Sequence, residues 1–381
     1  MAPVVIVGSG LAGWSVAREL RKLDAAVPIV MVTASRGDFY AKPTLSNALA
    51  LGRTPEQIVT TPADKMAAAS NVTLIAETAV TGIDAAARTV SLADGRTLAY
   101  RDLVLANGAQ PIVLPMAGNA ADRVRRVNQL EDYSTFRAEL GEAPRRVLVI
   151  GAGLIGCEFA NDLVLAGHQV QVVDPSPRPL ASLLPAEAGK GLQAALSAAG
   201  VQWHFGTSVA SLDSAGEGAA LSATLANGQT LDADLVLSAV GLRADTRLAQ
   251  VAGAACERGV VVDERLSTSV PGLWALGDNA QYPGARILPF VMPIMAASKV
   301  LAANLAGQSA TLTFPVMPVA IKTPAWPVLA VPPPMGAAGA WQGVGALRWE
   351  FRDAAGGALR GFVLAAEQRS QRAALMAALA G

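Results

Sequence analysis

Two glycine clusters are the residues of this sequence whose spacing most clearly predicts chemistry. Each follows a short run of branched aliphatic residues and precedes a stretch with helical spacing. In such a strand–turn–helix unit the first Gly allows a tight turn, the second lets the backbone approach a pyrophosphate, and the third lets the helix pack on the strand. The phosphates then meet free N–H groups at the helix N-terminus. We therefore predict two dinucleotide sites, formed by Gly8, Ser9, Gly10, Leu11, Ala12 and Gly13 and by Gly151, Gly153, Leu154, Ile155 and Gly156.

The strands that follow the two clusters end differently, which predicts NAD at the second site and a different hold on the ribose at the first. The strand after the second cluster ends at Asp174, and a carboxylate there suits the free ribose 2′-hydroxyl of NAD and repels the 2′-phosphate of NADP. Arg178 lies nearby and could meet a phosphate, but we expect it to be a solvated loop residue. We expect the first ribose to be held more weakly or by backbone groups, because after the first strand no acid occurs until Asp38. The first strand ends in Thr33, Ala34 and Ser35.

The composition limits what the side chains can do on their own. The 30 Lys and Arg balance 30 Asp and Glu, which argues against a nucleic-acid binder, since phosphate backbones attract an excess of basic residues. The two Cys, Cys157 and Cys256, form no close pair, and with two His we predict no disulfide framework, dithiol relay or metal site. Cys157 follows the last Gly of the second cluster, where helix packing favours a small buried residue. We therefore expect a bound cofactor to supply the reactive group.

The sequence predicts neither a targeting segment nor a membrane span. The first residues lack the basic start and small-residue cleavage site of a signal peptide. The longest uncharged stretch, between Lys322 and Arg348, contains five Pro, so it is not expected to form a continuous helix in lipid. We predict a soluble, cytoplasmic protein.

Three further strand ends resemble those of flavoprotein reductases with two dinucleotide folds. They are Thr268–Asp278, Leu103–Ala109 and Leu235–Arg243. In those reductases the first motif places an Asp on the ribityl chain of FAD, and the other two are the strands by which the chain leaves the FAD and NAD domains. The resemblance implies FAD at the first glycine cluster and NAD(H) at the second. It places Val80, Asn107 (where the family has Thr), Gly108 and Asp278 beside FAD and Gly241 beside NAD.

The order of these motifs predicts the α/β fold class, with two Rossmann-like dinucleotide-binding domains and a small α+β C-terminal domain. The FAD domain is split around an inserted NAD domain. We expect the FAD domain at residues 1–108 and 242–310, the NAD domain at 109–241 and the C-terminal domain at 311–381.

The segment Phe39–Asn47 argues against a disulfide-reducing enzyme, because it contains no Cys where disulfide-reducing members of this superfamily carry a pair. Four motifs resemble the rubredoxin–NAD(+) reductases: Tyr40–Ser46, Gly153–Asp162, Val291–Met295 and Ile321–Pro324. The resemblance implies that NADH gives a hydride to FAD and that two rubredoxins each remove one electron. Such a reductase could supply an alkane hydroxylase or an oxidative-stress pathway.

Other acceptors stay open at this stage. The alternatives are an NADH:ferredoxin reductase, a flavorubredoxin reductase, a flavin NADH oxidase and a non-catalytic flavoprotein that signals through bound NAD⁺. Because many rubredoxins are acidic, we expect a local basic rim for docking. The candidates are Arg123, Arg125, Arg126, Lys299 and Lys322.

The resemblance also assigns roles to side chains near the flavin. Lys42 and Glu158 are the predicted catalytic residues, as an ion pair that could favour negative charge on the reduced flavin. Pro43 is expected to line the flavin. Val291 begins a helix whose N-terminus the family points at the flavin. Lys322 is the C-terminal candidate for a flavin contact or for docking the acceptor.

Overall fold

The structure is a computed structural model that describes residues 2–216, 218 and 220–380 of the chain. In chain order its strands are β1 Val4–Val7, β2 Ile29–Val32, β3 Thr73–Ile75, β4 Val80–Asp84, β5 Thr89–Leu92, β6 Thr97–Ala99, β7 Asp102–Leu105, β8 Ala109–Pro111, β9 Val124–Arg125, β10 Arg146–Ile150, β11 Gln169–Asp174, β12 Val201–Phe205, β13 Val209–Ser214, β14 Leu221–Leu225, β15 Thr230–Ala233, β16 Leu235–Ser238, β17 Leu242–Ala244, β18 Val260–Val261, β19 Leu273–Ala275, β20 Ala280–Gln281, β21 Val319–Ile321, β22 Val328–Val331, β23 Gly339–Gly343, β24 Arg348–Asp353 and β25 Leu359–Ala365.

The α-helices are α1 Leu11–Leu23, α2 Pro55–Ile58, α3 Ala63–Ser70, α4 Leu130–Leu140, α5 Leu154–Leu165, α6 Ala186–Ala198, α7 Arg247–Val251, α8 Val291–Leu305 and α9 Arg372–Ala380. Short 3₁₀ turns lie at Lys42–Thr44, Ala121–Arg123 and Ala366–Gln371.

The chain forms two compact units. The first comprises Met1–Ala41, Gln57–Gln110 and Leu242–Pro315, and the second comprises Lys42–Glu56, Pro111–Gly241 and Val316–Gly381. The first unit follows the outline of the predicted FAD domain except at Lys42–Glu56, which packs within the second unit. The division into three domains stays a prediction.

The first unit is built on a parallel sheet with the strand order β19-β7-β1-β2-β3. All four residues of β1 are buried, which is typical of a parallel strand that is covered on both faces. Its register pairs Val7 with Val32 of β2 and with Leu105 of β7, so these strands end together. The carboxyl ends of the strands, where the first glycine cluster begins, therefore lie at one edge of this sheet.

The second unit repeats this architecture with the parallel order β12-β11-β10-β16-β9. An antiparallel sheet of β13, β14 and β15 packs against one face, and Leu148 and Val236 meet Leu212 and Ala223 in the shared core. The second glycine cluster follows β10, in the same place as the first follows β1. The prediction of parallel α/β sheets behind both clusters is confirmed.

The C-terminal residues form an antiparallel sheet with the order β21-β22-β25-β24-β23. Leu375 of α9 packs with Phe362 and Leu364 of β25, so the helix covers one face. Ahead of β22, the indole of Trp326 lies over Gly191 of α6, where an added Cβ would stand 2.7 Å from the indole Cζ2. Trp326 is therefore a packing residue within the second unit.

Across the described residues, no helix combines the length and apolar character needed to cross a bilayer. The same part of the chain contains no cluster of three or more His, Cys, Asp or Glu side chains suited to a metal ion.

Candidate active site

The first glycine cluster has the backbone that a pyrophosphate site requires. Gly8 has φ +107°, and a Cβ at this position would overlap the carbonyl oxygen of Ala106. A Cβ on Gly13 would overlap the carbonyl of Gly8, so α1 can approach β1 only because Gly13 has no side chain. At Gly10 an added Cβ would meet no described atom within 4 Å. The space beside Gly10 fits a pyrophosphate at the N-terminus of α1, which no described side chain caps.

Hydroxyl groups occupy the place where a carboxylate usually binds the first ribose. Ser9 Oγ donates to Thr33 Oγ1 at 2.9 Å, and Ser35 Oγ lies 3.0 Å from Thr33 Oγ1. Ala34 is exposed between them. Asp38 instead accepts a hydrogen bond from the N–H of Ala63, at the start of α3. This hydroxyl cluster offers side-chain donors and acceptors to a ribose without a formal charge.

The other strand ends of the first unit are joined by amide side chains. Asn279 is fully buried, and its Nδ2 donates to Asn107 Oδ1 at 2.8 Å and to the carbonyl of Leu105. Asn107 Nδ2 donates in turn to the carbonyl of Asp245 at 2.9 Å. The Asn that replaces the family's Thr therefore connects β7, the turn after β19 and the segment after β17.

The turn that carries Asp278 is fixed by a buried tyrosine. Gly277 has φ +87°, and its N–H donates to the hydroxyl of Tyr282 at 3.0 Å. Burial raises the pKa of Tyr282 to about 12, so this hydroxyl stays neutral. Asp278 itself is half-buried. Sequence reasoning named Asp278 as a candidate but missed the tyrosine that holds its turn.

The remaining candidates of the first unit lie at the ends of elements. Val80 begins β4, Gly108 has φ +74° just after β7, and Val291 begins α8. Val291 is 43% exposed, and no described side chain caps α8. The free N–H groups and the dipole of this helix therefore favour negative charge near Val291.

The second glycine cluster reproduces the first. Gly151 has φ +108°, a Cβ on Gly156 would overlap the carbonyl of Gly151, and a Cβ on Gly153 would meet no described atom within 4 Å. Leu154 and Ile155 form the first turn of α5, and Ile155 is 39% exposed. Gly241 follows β16 with φ +110°. The geometry fits a second pyrophosphate at the N-terminus of α5.

Asp174 is oriented by the backbone around this cluster. One carboxylate oxygen accepts from the N–H of Ala152 at 2.6 Å, and the other accepts from the N–H of Ser176 at 2.7 Å. Each oxygen keeps a second lone pair with which to accept from a ribose hydroxyl.

Arg178 is not the solvated residue that we expected. Its NH2 donates to the carbonyls of Ala181 and Leu184 at 3.3 and 3.1 Å. Its aliphatic stem lies against Gly189 of α6, where an added Cβ would stand 2.9 Å from Cδ. Because the guanidinium donates to backbone carbonyls, Arg178 stabilises the fold rather than binding a 2′-phosphate.

Glu158 lies in a polar cluster within the second unit. It is 1% exposed, its Oε1 accepts from the backbone N–H of Lys322 at 2.9 Å, and its Oε2 accepts from Lys322 Nζ at 2.7 Å. Ser46 Oγ donates to the same Oε2 at 2.6 Å. Lys322 Nζ also donates to Ser46 Oγ and to the carbonyl of Pro43. Its three hydrogens thus each have an acceptor.

The structure therefore brings together Glu158, Lys322 and Pro43 from the predicted set, and adds Ser46. Lys42 opens the 3₁₀ turn that contains Pro43. The ion pair that the structure gives for Glu158 joins it to Lys322. The pairing of Glu158 with Lys42 stays a prediction, as do the contacts of both lysines with FAD.

The cysteines offer no redox centre. Cys157 is fully buried and its Sγ donates to the carbonyl of Ala152 at 3.3 Å. Burial, reinforced by the nearby carboxylates of Asp174 and Glu158, raises the pKa of this thiol far above its usual range. Cys256 is a free, half-buried thiol whose pKa is also raised by burial. Cys157 is therefore the structural residue that its position predicted.

Two parallel sheets, each with a glycine turn that leaves room for a pyrophosphate, define an oxidoreductase with two dinucleotide folds. Residues 2–299 match the family described as Pyridine nucleotide-disulphide oxidoreductase, and residues 311–379 match the Rubredoxin binding C-terminal domain. The chain belongs to this oxidoreductase family and, within it, to the group of the rubredoxin–NAD(+) reductases. The predicted fold class and the cofactors FAD and NAD(H) are confirmed with the family.

Individual relatives extend over nearly the whole chain. The Rubredoxin-NAD(+) reductase of Acinetobacter baylyi is 43% identical over 346 residues, which cover 90% of this chain and 88% of the relative. The Nitric oxide reductase FlRd-NAD(+) reductase of Aeromonas salmonicida is 39% identical and covers 96% and 94% of the two chains. A covalent putidaredoxin reductase–putidaredoxin complex superposes with a TM-score of 0.90 at 28% identity, covering 100% of this chain and 93% of the other.

Sequence reasoning missed the polar side chains that hold the site together. Ser46, Asn161 and Asp162 fall inside the motifs quoted for the resemblance, yet no role was assigned to them. Polar residues at three- and four-residue spacing in a helix that is otherwise apolar were the available signal.

Proposed function

We propose that this chain is an FAD-dependent NADH:rubredoxin reductase. The observation that carries the proposal is the combination of two open glycine turns in one chain with a C-terminal region of the rubredoxin-binding type. When bound, a flavin accepts a hydride from a nicotinamide and releases electrons one at a time. Relatives named Rubredoxin-NAD(+) reductase at 43–44% identity support the same reaction here.

The chain's own residues bind and orient the two dinucleotides. The N-terminus of α1 would hold the pyrophosphate of FAD and that of α5 the pyrophosphate of NADH, since each helix has a Gly as its N-cap and no described side chain caps it. Asp174 would accept from the ribose 2′-hydroxyl of NADH and repel a 2′-phosphate. Asp278 would bind the ribityl chain, on a turn that Gly277 and Tyr282 keep in place.

Charge around the flavin would be set by two features. The uncapped N-terminus of α8 contributes positive potential near Val291. Lys322 is held by Glu158 and by the carbonyl of Pro43, so its position is fixed while its charge is balanced. The N-terminus of α8 would stabilise negative charge at a bound flavin, and the paired Lys322 would add no net charge.

Electron acceptance by an acidic partner suits the C-terminal region. Residues 311–381 contain six Lys and Arg against three Asp and Glu, whereas the whole chain is neutral. Within the predicted basic rim, Arg125 pairs with Glu139 and Arg123 donates to Ser214 Oγ, so these two already have intramolecular partners. In the C-terminal region Lys322, Arg348, Arg352 and Arg360 are likewise in ion pairs. The net excess of positive charge in this region, rather than a set of unpaired cations, would therefore steer an acidic rubredoxin, and salt would screen it.

The test is anaerobic reduction of the purified, FAD-loaded protein by NADH or NADPH, followed by an acceptor panel. We expect NADH to be preferred, and rubredoxin to be reduced faster than ferredoxin or dioxygen, with a rate that falls as salt rises. Faster turnover with ferredoxin or with dioxygen would overturn the rubredoxin assignment. A colourless protein that takes up no FAD would overturn the whole proposal.

A flavorubredoxin acceptor is the second candidate, because the FlRd-NAD(+) reductase of Aeromonas salmonicida aligns over 96% of this chain. Rates measured separately with a free-standing rubredoxin and with a complete flavorubredoxin distinguish the two candidate acceptors. We further propose a cytoplasmic location, because NADH is the reductant, and supply of an alkane hydroxylase or of an oxidative-stress pathway. Rubredoxin-dependent alkane hydroxylation reconstituted with this reductase would support the first route.

A further inference from the structure

Three buried polar residues lie on one face of α5. Glu158, Asn161 and Asp162 are 1%, 0% and 3% exposed, in a helix whose other side chains are apolar or small. Their spacing of three and four residues places them on adjacent turns of one face. Burying three such groups is costly unless each makes specific hydrogen bonds, so their partners reveal what they do.

The first set of partners belongs to the segment Lys42–Glu56. Ser46 Oγ donates to Glu158 Oε2, while the N–H groups of Leu49 and Ala50 donate to the two oxygens of Asp162 at 2.9 Å each. Ser46 thus donates its hydroxyl to Glu158. The backbone three and four residues later donates to Asp162, one helical turn further along α5.

The second set belongs to the segment Lys322–Trp326 and repeats this pattern. Lys322 supplies its N–H and its Nζ to Glu158, and the N–H of Ala325 donates to Asn161 Oδ1 at 3.1 Å. A tight turn closes the segment, because Trp326 N–H donates to the carbonyl of Thr323 and Thr323 Oγ1 donates to the carbonyl of Trp326. Asn161 uses its Oδ1 alone, since its Nδ2 has no partner among the described residues.

We propose that Asn161 and Asp162 are positioning residues for the Glu158 cluster. Asn161 fixes Lys322 on Glu158 by holding Ala325, and Asp162 fixes Ser46 on Glu158 by holding Leu49 and Ala50. Neither residue touches a cofactor in this assignment. The inference rests on the proposed function and on the family resemblance, which implies that Pro43 and Lys322 lie beside the flavin.

The consequence for the reaction follows from distance. Without its anchor a segment can shift by a fraction of an ångström to an ångström, and a misplacement of about 1 Å can cost up to about 100-fold in rate. For Asn161→Leu, which keeps a similar volume and removes one acceptor, we expect about a tenfold fall in the limiting rate of flavin reduction by NADH. The Kd for NADH stays unchanged, because Asp174 and the glycine turn are untouched.

The experiment is a pair of double-mutant cycles on the FAD-loaded protein without rubredoxin. Asn161→Leu is made alone and in a Lys322→Met background, and Asp162→Asn is made alone and with Ser46→Ala. Stopped-flow loss of flavin absorbance on mixing with NADH gives the rate, and chemical denaturation gives the stability. Asp162→Asn keeps one acceptor and turns its Nδ2, a donor, toward the other backbone N–H, so it releases one of the two bonds from α5 to Leu49 and Ala50. It tests the other segment should Asn161→Leu not fold.

We expect each anchor variant to slow reduction in the wild-type background and to slow it less than twofold further once Lys322 or Ser46 is absent. The loss of stability persists in both backgrounds, since the backbone bonds are lost in either case. Equal slowing in both backgrounds, or lost stability with an unchanged rate, overturns the proposal.

Asn304→Leu is the matched control. Asn304 is 7% exposed and likewise holds backbone, by donating to the carbonyls of Arg265 and Ala310 and accepting from the N–H of Ala310. We expect this variant to lose stability and keep the rate of flavin reduction. A wild-type protein that is reduced by NADH but passes no electrons to rubredoxin would contradict the proposed function while leaving this test interpretable.

Discussion

The same substitution at two positions three residues apart should have opposite effects, because the two glycines have different surroundings. Gly153 has φ −74° and ψ −170°, which an Ala adopts without strain, and its Cβ would enter open space. A Cβ on Gly156 would overlap the carbonyl oxygen of Gly151, a backbone atom that cannot move without displacing α5 from β10. We therefore compare Gly153→Ala with Gly156→Ala.

The expected magnitudes follow from these contacts. Overpacking against backbone at Gly156 should lower the free energy of unfolding by about 1–3 kcal/mol. Gly153→Ala should leave it unchanged or raise it by up to about 1 kcal/mol, because Ala restricts the unfolded chain. The added methyl group at 153 would stand where the pyrophosphate of NADH approaches. We expect at least about a tenfold rise in the Kd for NADH, which corresponds to about 1.4 kcal/mol.

Urea denaturation followed by circular dichroism gives the stability, and NADH titration under anaerobic conditions gives the affinity. Gly10→Ala is the cross-control, since Gly10 has the same open surroundings in the first cluster. It should weaken FAD retention and leave the affinity for NADH unchanged once the protein is reconstituted with FAD. If Gly153→Ala binds NADH as the wild type does, or destabilises the protein as much as Gly156→Ala, the assignment of the second turn is refuted.

Two further predictions concern charge. Asp174→Ala should lower kcat/KM for NADH at least about tenfold and bring the NADPH:NADH ratio closer to one, as steady-state kinetics with both nucleotides would reveal; an unchanged ratio would argue against this carboxylate as the selector. His168 is 6% exposed, and burial lowers its pKa from 6.5. As the pH falls, this histidine is therefore protonated in the unfolded chain before it is protonated in the folded protein. The stability that His168 contributes above pH 6.5 is lost as the pH falls toward the folded pKa. Denaturation from pH 8 to pH 5 should therefore show a smaller acid loss in His168→Gln, and an identical pH dependence would contradict this role.

The sequence was sufficient for the fold and the family because both depend on backbone rules. The second turn needs Gly151 at φ +108° and Gly156 against the carbonyl of Gly151, and these requirements are visible as the spacing of glycines in the sequence. The second cluster, Asp174 and the missing Cys pair each restrict the possibilities further. These features need no knowledge of which distant residues meet.

The pairing of side chains could not be predicted, because it depends on which residues distant in the sequence meet in the fold. Glu158 meets Ser46 and Lys322 across separations of 112 and 164 residues, and no local pattern selects Lys322 over Lys42 as its cation. The packing of Arg178 over Gly189 likewise depends on a tertiary contact. Gly189 and Gly191, near the start of α6, were local signs that other side chains approach this helix closely.

The interleaving of the two units along the chain dictates the order in which they can be completed during synthesis. Strand β7 has β19 as its outer neighbour, so the first sheet lacks that strand until residues beyond 275 have left the ribosome. The segment Lys42–Glu56 must likewise wait for α5 before Leu49 and Ala50 find Asp162. Contacts of such long sequence separation form slowly, and until they form the nascent chain exposes an unpaired strand edge. The division of the chain between the two units therefore leaves the half-made protein prone to aggregation until its later residues are synthesised.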